Sequence, residues 1–333
     1  MPDAPRRKPK VLVVSNENPD WPDKDKAMAN EMWDMMFNGL RQEGYVCEGI
    51  KFFDDLSALD AYDPREWLVW NWGEEWAGRP WTEAEVAAHI EAKGFAYTGS
   101  PPAVIAFLMN RPQVKERLHA AGLPTLPARV LSDPAQASEW TTFPAIVKGA
   151  NQHASFGISG DSIVHDHDQL ARRIAYLREA YQDEALVEQF LSTREFHVAV
   201  WGNDAPEALP PVEFDFSAFG DVRDQIYTYD WKFDRSSRGY NEIKMPCPAP
   251  ADKPHWRARL EAVARKAYRA TGLRDFGRFD MRMLGDEPMI LDVNPNPDLD
   301  PTSVVLAGAR AKGMNYGQMI GQIVQFAAAR MPQ

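Results

Sequence analysis

Residues 276–294 read FGRFDMRMLGDEPMILDVN and combine two apolar runs with a short polar break. The break, LGDEP, carries Gly and Pro as turn signals, so the stretch predicts two antiparallel strands joined by a tight turn. If the hairpin is symmetric about Asp286, position 280 lies opposite 292 and position 278 lies opposite 294. Side chains alternate between the two faces of a strand, so one face collects four polar groups. They are Arg278, Asp280, Asp292 and Asn294.

Such a polar face is typical of a magnesium site. Hard oxygen ligands on a rigid sheet suit Mg²⁺, which combines carboxylates with phosphate oxygens and water. Two adjacent carboxylates repel one another without a cation between them, and the neighbouring Arg278 is suited to holding an oxyanion. The alternative is a solvated hairpin face with cross-strand ion pairs. Pro295 and Pro297 favour the metal site, because they hold the exit of the second strand in one extended path.

Cations for a phosphate group are available elsewhere in the chain. Lys148 ends the apolar run PAIVKGA, and the small and polar residues after it form a loop whose backbone N–H groups can bind phosphate. Lys115 falls on a short predicted helix, and Lys232 lies among aromatic residues in YTYDWKFD. Glu188 and Glu195 lie at either end of a short hinge in ALVEQFLSTREF, suited to holding adenine and ribose hydroxyl groups. Taken singly, the other two lysines and both glutamates are more typical of a solvated surface, whereas its aromatic neighbours favour a placed role for Lys232.

Length and composition describe an ordinary globular protein. The 333 residues suggest two or three folding units, with 44% hydrophobic and 26% charged residues. The net charge of -11 argues against a nucleic-acid partner, although basic residues can still cluster around a small polyphosphate. Cys47 and Cys247 are far apart in the sequence, which favours a reduced, cytoplasmic protein. No run of roughly 18 apolar residues predicts a membrane span.

The first hundred residues alternate strand and helix signals, which is typical of a parallel, doubly wound α/β sheet. Strands are expected at 11–15, 46–52, 67–72 and 95–99, and helices at 28–43, 56–61 and 82–94. Thr82 and Glu85 are expected to form a capping box at the start of the last helix. No GxGxxG follows the first strand, so a dinucleotide-binding domain is not supported.

The remainder of the chain has a mixed α+β pattern, which suggests a small second domain from about residue 125 and a third part after it. Strands are expected at 144–150, 162–165, 185–191, 195–202, 211–216, 277–283 and 288–294, and helices at 112–121, 168–181, 253–271 and 315–330.

The order of these segments resembles the ATP-grasp fold and, more narrowly, its D-alanine–D-alanine ligase branch. The resemblance extends over nearly the whole chain, including AYTGSPPAVIAFLMNRPQVKERLHAAGLPTLPA (96–128) and the final MNYGQMIGQIV (314–324). It implies three domains that enclose ATP. They are an N-terminal α/β domain at 1–100, a small central ATP-grasp domain at 101–195 and a C-terminal ATP-grasp domain at 196–333.

The resemblance also implies roles for individual residues. The nucleotide is assigned to Lys115 and Lys148 (phosphates), Ser155 (loop over the phosphates), Glu188 and the Leu191 backbone (adenine), and Glu195 (ribose). Two Mg²⁺ ions, or Mn²⁺ in their place, are assigned to Asp280, Asp292 and Asn294, where Asp292 replaces the family's usual Glu. Arg278 is expected to stabilise a tetrahedral oxyanion, and Lys232 to lie near the transferred phosphate. The implied reaction joins a carboxylate to an amine through an acyl phosphate and releases ADP and phosphate.

The substrate-binding half of the family pattern is altered. The loop SNENPDWPDKD (15–25) stands where the family has a Gly-rich loop with a substrate-binding glutamate, and Glu17 is the candidate replacement. The family's histidine after the third strand is missing from WNWGEEWAGRPW (70–81), whose tryptophans, Trp72 among them, either line a pocket or belong to the core. Ala154 and Phe233 replace a family Ser and Tyr, and Asp298 replaces a Gly. Ser303 matches a serine that holds the acceptor's carboxylate. A substrate pair other than two D-alanines is therefore expected.

Asp298 and Asp300 suggest an acceptor that carries positive charge, and the alternative is that Asp298 caps the next helix. Small carboxylate and amine molecules are the expected partners, and the resemblance suggests a homodimer. Two other functions remain open. One is an ATP-grasp enzyme that modifies the end of a peptide or protein. The other is a catalytically silent nucleotide-binding protein, against which the complete polar set of the hairpin argues.

Overall fold

The computed structural model describes residues 8–152 and 157–332, apart from the side chains of Tyr229 and Phe233. Its first sheet is parallel, with strand order β2-β1-β3. The strands are β1 (Lys10–Asn16), β2 (Cys47–Phe52) and β3 (Trp67–Trp72), and the helices around them are α1 (Asp23–Gln42) and α2 (Glu83–Ala92). A 3-10 helix at Ser57–Ala61 replaces the helix expected at 56–61. This arrangement agrees with the predicted α/β pattern.

Two local predictions in this part are wrong. Residues 95–99 form no full strand, because only Tyr97 bridges to Val69 before Gly99, at φ +95°, turns the chain away. Thr82 precedes α2 but makes no capping bond. Its hydroxyl instead accepts from the Trp76 N–H (2.7 Å) and donates to the Arg79 carbonyl (2.6 Å), so the turn before the helix consumes it.

The second sheet is antiparallel, with strand order β4-β7-β5-β6. Its strands are β4 (Ala128–Leu131), β5 (Ala145–Gly149), β6 (Ile163–Val164) and β7 (Ala185–Gln189). Helix α5 (His167–Tyr181) covers one face, where Leu170, Ile174 and Leu177 pack against Val147 and Val187. The opposite face, with Ile146, Lys148 and Glu188, is the one that turns towards a cleft.

The third sheet has strand order β10-β8-β11-β12, with a short β9 beside β8. The strands are β8 (Glu195–Trp201), β9 (Glu207–Ala208), β10 (Val212–Phe214), β11 (Phe276–Leu284) and β12 (Glu287–Asn294). The remaining helices are α3 (Pro102–Leu108), α4 (Arg111–Ala120), α6 (Tyr229–Phe233), α7 (Arg238–Glu242), α8 (Pro254–Thr271), α9 (Val304–Ala311) and α10 (Tyr316–Ala328). No helix in the described part of the chain is long and apolar enough to cross a membrane.

Alternation along β8 and β11 decides which side chains are buried and which reach the cleft. Phe196, Val198, Phe279 and Met281 point to one face, where α8, α3 and α4 complete the core. On the other face of the third sheet lies a second core, in which α9 and α10 pack between this sheet and the first sheet. Helices α3 and α4 therefore pack against the third sheet rather than the second. The predicted domain ranges 1–100, 101–195 and 196–333 stay a prediction.

The hairpin register predicted for the site is confirmed, but the assumed turn is wrong. Arg278 lies opposite Asn294, and Asp280 lies opposite Asp292. Nearer the turn, however, residue 284 pairs with 287, so the turn itself has only two residues. The register shifts by one beyond Asp280 because Leu291 is an extra, unpaired residue in β12. This bulge compensates for the shorter turn.

Candidate active site

A cleft of about 740 Å³ lies between the second and third sheets. Strands β5 and β7 supply one wall, and β8, β11 and β12 supply the other. Its apolar lining includes Leu126, Ile146, Phe190 and Ile226. Its polar lining includes nearly every cation and carboxylate that the sequence singles out for the nucleotide and metal, so those residues converge in space.

The paired carboxylates of the hairpin are each held by an arginine. Arg278 binds both oxygens of Asp280, through Nε (2.7 Å) and Nη2 (3.0 Å). Burial alone would lower the pKa of Arg278, but the charge of Asp280 raises it above its usual value. Asp292, on the neighbouring strand, is contacted by Arg111 from the start of α4, with Arg111 Nη2 3.3 Å from Asp292 Oδ2. Arg111 Nη1 also donates to the Gly149 carbonyl (2.8 Å). Arg111 thus ties one predicted metal ligand to the end of β5.

Asn294 completes the predicted metal set at the end of β12. Its Oδ1 accepts a hydrogen bond from the Asn296 backbone N–H at 2.8 Å, which fixes the amide as the strand ends. Across the described residues, no group of three or more His, Cys, Asp or Glu side chains is arranged to hold a metal. An ion bound by Asp280, Asp292 and Asn294 would therefore have to complete its coordination with phosphate oxygens and water, as Mg²⁺ does in nucleotide sites.

A buried ion triad lies on the opposite wall. Glu188 is 1% exposed and receives the ammonium groups of Lys115 and Lys148, the second at 2.9 Å. Burial would raise the pKa of Glu188, but the two lysines outweigh it and hold the pKa below its ordinary value. The predicted phosphate lysines and the predicted adenine carboxylate are thus in direct contact.

Glu195 is also buried, and each of its oxygens has a partner. Oε1 lies 2.8 Å from His197 Nε2, and Oε2 lies 2.8 Å from Arg282 Nε. Arg282 also donates to the carbonyls of Leu191 and Gln225. Burial would raise the pKa of Glu195, but Arg282 and His197 lower it to about 2. The carboxylate is therefore ionised throughout the neutral range.

Comparison with known proteins identifies the family of the chain. The family model of the D-ala D-ala ligase C-terminus matches residues 124–325, more than half of the chain. A D-alanine–D-alanine ligase of Desulforudis audaxviator is 32% identical over 253 residues, which cover 74% of this chain and 78% of the relative. The chain belongs to the D-alanine–D-alanine ligase family of ATP-grasp proteins. Its members are ADP-forming carbon–nitrogen ligases, so the predicted enzyme class is confirmed.

Two further comparisons extend the likeness over most of the molecule. A crystal structure of D-alanine–D-alanine ligase from Bacillus anthracis complexed with ATP has a TM-score of 0.68 at 17% identity, covering 96% of this chain and 97% of that chain. It confirms the predicted ATP-grasp fold. A Sinorhizobium fredii protein named as uncharacterized, y4sG, is 28% identical over 297 residues, 86% of this chain and 84% of its own length.

The residues that the ATP-grasp resemblance assigned to the substrates lie in less uniform surroundings. Glu17 is mostly exposed and pairs with Lys51 at 3.0 Å, outside the residues that line the cleft. Trp72 is partly buried against the core shared by the first and third sheets. Ser303 caps α9 by accepting from the Leu306 N–H at 3.2 Å. The alternative that Asp298 caps this helix is therefore wrong.

Lys232 and Asp298 face one another at the end of the cleft, with Nζ 3.8 Å from Oδ2. Lys232 lies among aromatics as predicted, with its ammonium 5.8 Å from the centre of the Tyr227 ring. Ser155 and Ala154 lie outside the described residues, as does the Phe233 side chain.

Three members of this ATP-grasp site escaped the sequence reasoning: Arg111, His197 and Arg282. Arg111 lies beside Pro112 at the start of α4, where the sequence predicts a surface residue, yet it is 6% exposed. His197 and Arg282 follow recognised residues by two positions on β8 and β11. Side chains two positions apart on a strand share a face, so the positions two residues after Glu195 and Asp280 could have been predicted to face the same cleft.

Proposed function

We propose that this protein is an ATP-dependent ligase that joins a small carboxylate donor to a small amine and forms an amide bond through an acyl phosphate. One observation carries the proposal. Lys148 on β5 lines the same cleft as the paired carboxylates and the arginine of β11 and β12, and Lys115 on α4 meets Lys148 at Glu188. A pure nucleotide-binding protein would need the lysines, but it would not need the arginine beside the metal carboxylates.

Asp280, Asp292 and Asn294 fit divalent cations. Their oxygens are hard ligands. The two carboxylates need positive charge beside them, and in this structure Arg278 and Arg111 supply it. Mg²⁺, or Mn²⁺, would offset charge on the phosphoryl group during its transfer. ATP is the proposed nucleotide, with its base against the apolar residues of the cleft and its phosphates towards Lys115 and Lys148.

The side chains then have distinct tasks in two chemical steps. In the first, a donor carboxylate oxygen attacks the γ-phosphorus of ATP, and ADP leaves. In the second, the amine attacks the acyl carbon, loses a proton and displaces phosphate. Lys232 is proposed to hold the transferred phosphoryl group. Arg278 has five N–H donors, of which two contact Asp280, and the others are available to the oxyanion that forms on the acyl carbon.

A substrate pair other than two D-alanines is part of the proposal. The contact of Glu17 with Lys51 supports it, because the candidate replacement for the family's amine-binding glutamate is engaged on the surface. In addition, the loop around Asn16 is bound to the next loop, since Asn16 Oδ1 accepts from the Glu74 N–H (2.6 Å) and the Glu75 N–H (3.1 Å). Both contacts support a donor site that is built differently from the family's.

The acceptor is proposed to carry an extra positive charge, as in a diamine or a basic amino acid. Glu74 retains accessible surface, yet loss of hydration and then the charge of Asp298 raise its pKa to about 7. Burial and then Asp298 likewise raise the pKa of Asp300. The charge of Asp298 thus disfavours ionisation of both Glu74 and Asp300, and an ammonium group nearby would favour it.

Release of ADP and phosphate with pairs drawn from an amino-acid and diamine library tests the function directly. The expected result is ADP formation with a pair that includes a cationic acceptor, at kcat/KM well above that for two D-alanines. Asp298→Asn should reduce the preference for cationic over neutral acceptors, while the exposed Asp204→Asn should leave it unchanged. Equal selectivity in both variants would refute the cationic acceptor, and AMP with pyrophosphate as products would refute the acyl-phosphate route.

Two other sequence-based predictions accompany this function. A homodimer is expected from the family resemblance, and light scattering after size-exclusion chromatography would measure the mass of the particle. A cytoplasmic location is expected from the two separated cysteines. If the library contains no productive pair, a peptide or protein end becomes the acceptor to test next.

A further inference from the structure

The Glu195 carboxylate is enclosed by two side chains that no functional assignment covers. Arg282 and His197 are each 2% exposed and hold opposite oxygens of the carboxylate, so we call the pair the Glu195 clamp. Strand register explains the arrangement, because Arg282 is the cross-strand partner of Glu195, and His197 follows Glu195 on the same face of β8.

Each nitrogen of the Arg282 guanidinium donates a hydrogen bond. Nε donates to Glu195, Nη1 to the Leu191 carbonyl and Nη2 to the Gln225 carbonyl. The guanidinium lies over the rings of Phe190 (4.8 Å) and Phe216 (5.7 Å). One side chain thus joins the ribose carboxylate, the hinge backbone proposed for adenine and the loop before α6.

His197 fixes the carboxylate from the other side. Its ring stacks on Phe214, with centroids 3.9 Å apart and planes at 27°, so its orientation is set by packing. Its Nδ1 lies 3.4 Å from Asp280 Oδ1. The imidazole therefore stands between the proposed ribose carboxylate and the proposed metal carboxylate and limits the approach of one to the other.

We propose that the Glu195 clamp positions this carboxylate to accept both ribose hydroxyls, and that Arg282 and His197 thereby determine preference for ribonucleotides. The proposal rests on the nucleotide site of the proposed function. A carboxylate has about four acceptor positions, and the clamp uses one on each oxygen, which leaves each oxygen an acceptor position for one hydroxyl. A carboxylate without the clamp can rotate and loses the directions that a ribose requires.

Binding of ADP, 2′-deoxy-ADP and 3′-deoxy-ADP, measured by calorimetry with Mg²⁺, tests the clamp without substrates or turnover. Loss of one hydrogen bond to a charged acceptor should weaken binding of either deoxynucleotide to the unsubstituted enzyme by about tenfold to 100-fold. In Arg282→Met this discrimination should fall below about threefold. Arg282→Lys keeps the charge but cannot reach three partners, so it should give an intermediate value and serves if Arg282→Met does not fold.

Arg194→Met is the matched control. Arg194 also pairs with a buried glutamate on the third sheet, Glu213, through Nε (2.6 Å) and Nη2 (2.7 Å), but it lies outside the cleft lining. Its discrimination should equal that of the unsubstituted enzyme. Folded Arg282 variants that bind all three nucleotides more weakly by one common factor would refute the clamp. ADP binding without any ribose preference in the unsubstituted enzyme would also refute it, whereas failure to bind ADP would refute the proposed function itself.

Discussion

Replacing Glu188 by glutamine should strongly destabilise the free enzyme, and a polyphosphate anion should restore much of the loss. The Glu188 side chain is 1% exposed, and those of its partners Lys115 and Lys148 are 12% and 8% exposed. Glutamine keeps the shape but leaves two enclosed ammonium groups facing one another. Removing one partner of a buried ion pair costs about 3–5 kcal/mol. With an unfolding entropy of about 0.7 kcal/mol/K for 333 residues, Tm should fall by about 4–7 °C.

Thermal unfolding followed by tryptophan fluorescence measures this effect. Glu116→Gln is the control, because Glu116 lies beside Lys115 on α4, is exposed and loses the same charge. Its Tm should change by less than about 2 °C, as expected for a surface site. Tripolyphosphate carries the charge of the ATP phosphates without adenine, so it should raise the Tm of Glu188→Gln more than that of Glu116→Gln.

Two results would refute the reasoning. A Glu188→Gln variant as stable as Glu116→Gln would mean that the lysines do not depend on this carboxylate. Equal stabilisation of both variants by tripolyphosphate would mean that the anion binds away from Lys115 and Lys148.

Three further outcomes follow from the same geometry. The pKa of Glu195 is about 2 instead of the ordinary 4.5, so its stabilising effect is complete above pH 4.5 and is lost as pH falls towards 2. In the unsubstituted enzyme the free energy of unfolding should therefore fall by about 2 kcal/mol between pH 5 and 3. Urea unfolding of Glu195→Gln should lack this part of the pH dependence. Asp280→Asn should weaken Mn²⁺ binding, measured by electron paramagnetic resonance, at least about tenfold, while Asp286→Asn on the turn should bind Mn²⁺ as the unsubstituted enzyme does. Equal Mn²⁺ affinities of the two variants would exclude Asp280 as a ligand. Lys148→Met should raise the Kd for ADP by about tenfold to 100-fold through loss of a charge-assisted phosphate contact, and an unchanged Kd in calorimetry would place the phosphates elsewhere.

The sequence is most informative where function depends on local alternation. The strand sequences around Arg278 and Asp292 place polar groups on one face because period two is a property of any strand. Lysines at the ends of predicted elements could likewise be singled out. Their mutual contacts could not, because Lys115 and Lys148 meet Glu188 only after a helix and two strands have packed. Contacts between residues on different elements produce no periodic pattern in the sequence.

Arg111 and Arg282 illustrate the same limit. Each is far in sequence from the carboxylate that it contacts, with Asp292 181 positions from Arg111 and Glu195 87 positions from Arg282. An arginine beside an apolar run is equally compatible with a surface position, and only the strand register decides between the two. The capping box at Thr82 failed for a related reason, since its hydroxyl was drawn into a turn that no short motif specifies.

The site depends on register more than on any single side chain. Asp292, Asp280 and His197 are cross-strand partners in one row, and Arg282 and Glu195 form the next row on β11 and β8. Two residues of strand separate the rows by about 7 Å, so the sheet itself spaces the proposed ribose and metal sites.

The bulge at Leu291 makes this arrangement possible. With the two-residue turn and no extra residue, Asp292 would lie opposite Phe279 and would point to the apolar face under α8. An ionised carboxylate there would cost several kcal/mol. The irregularity is therefore what brings a second metal carboxylate into the cleft.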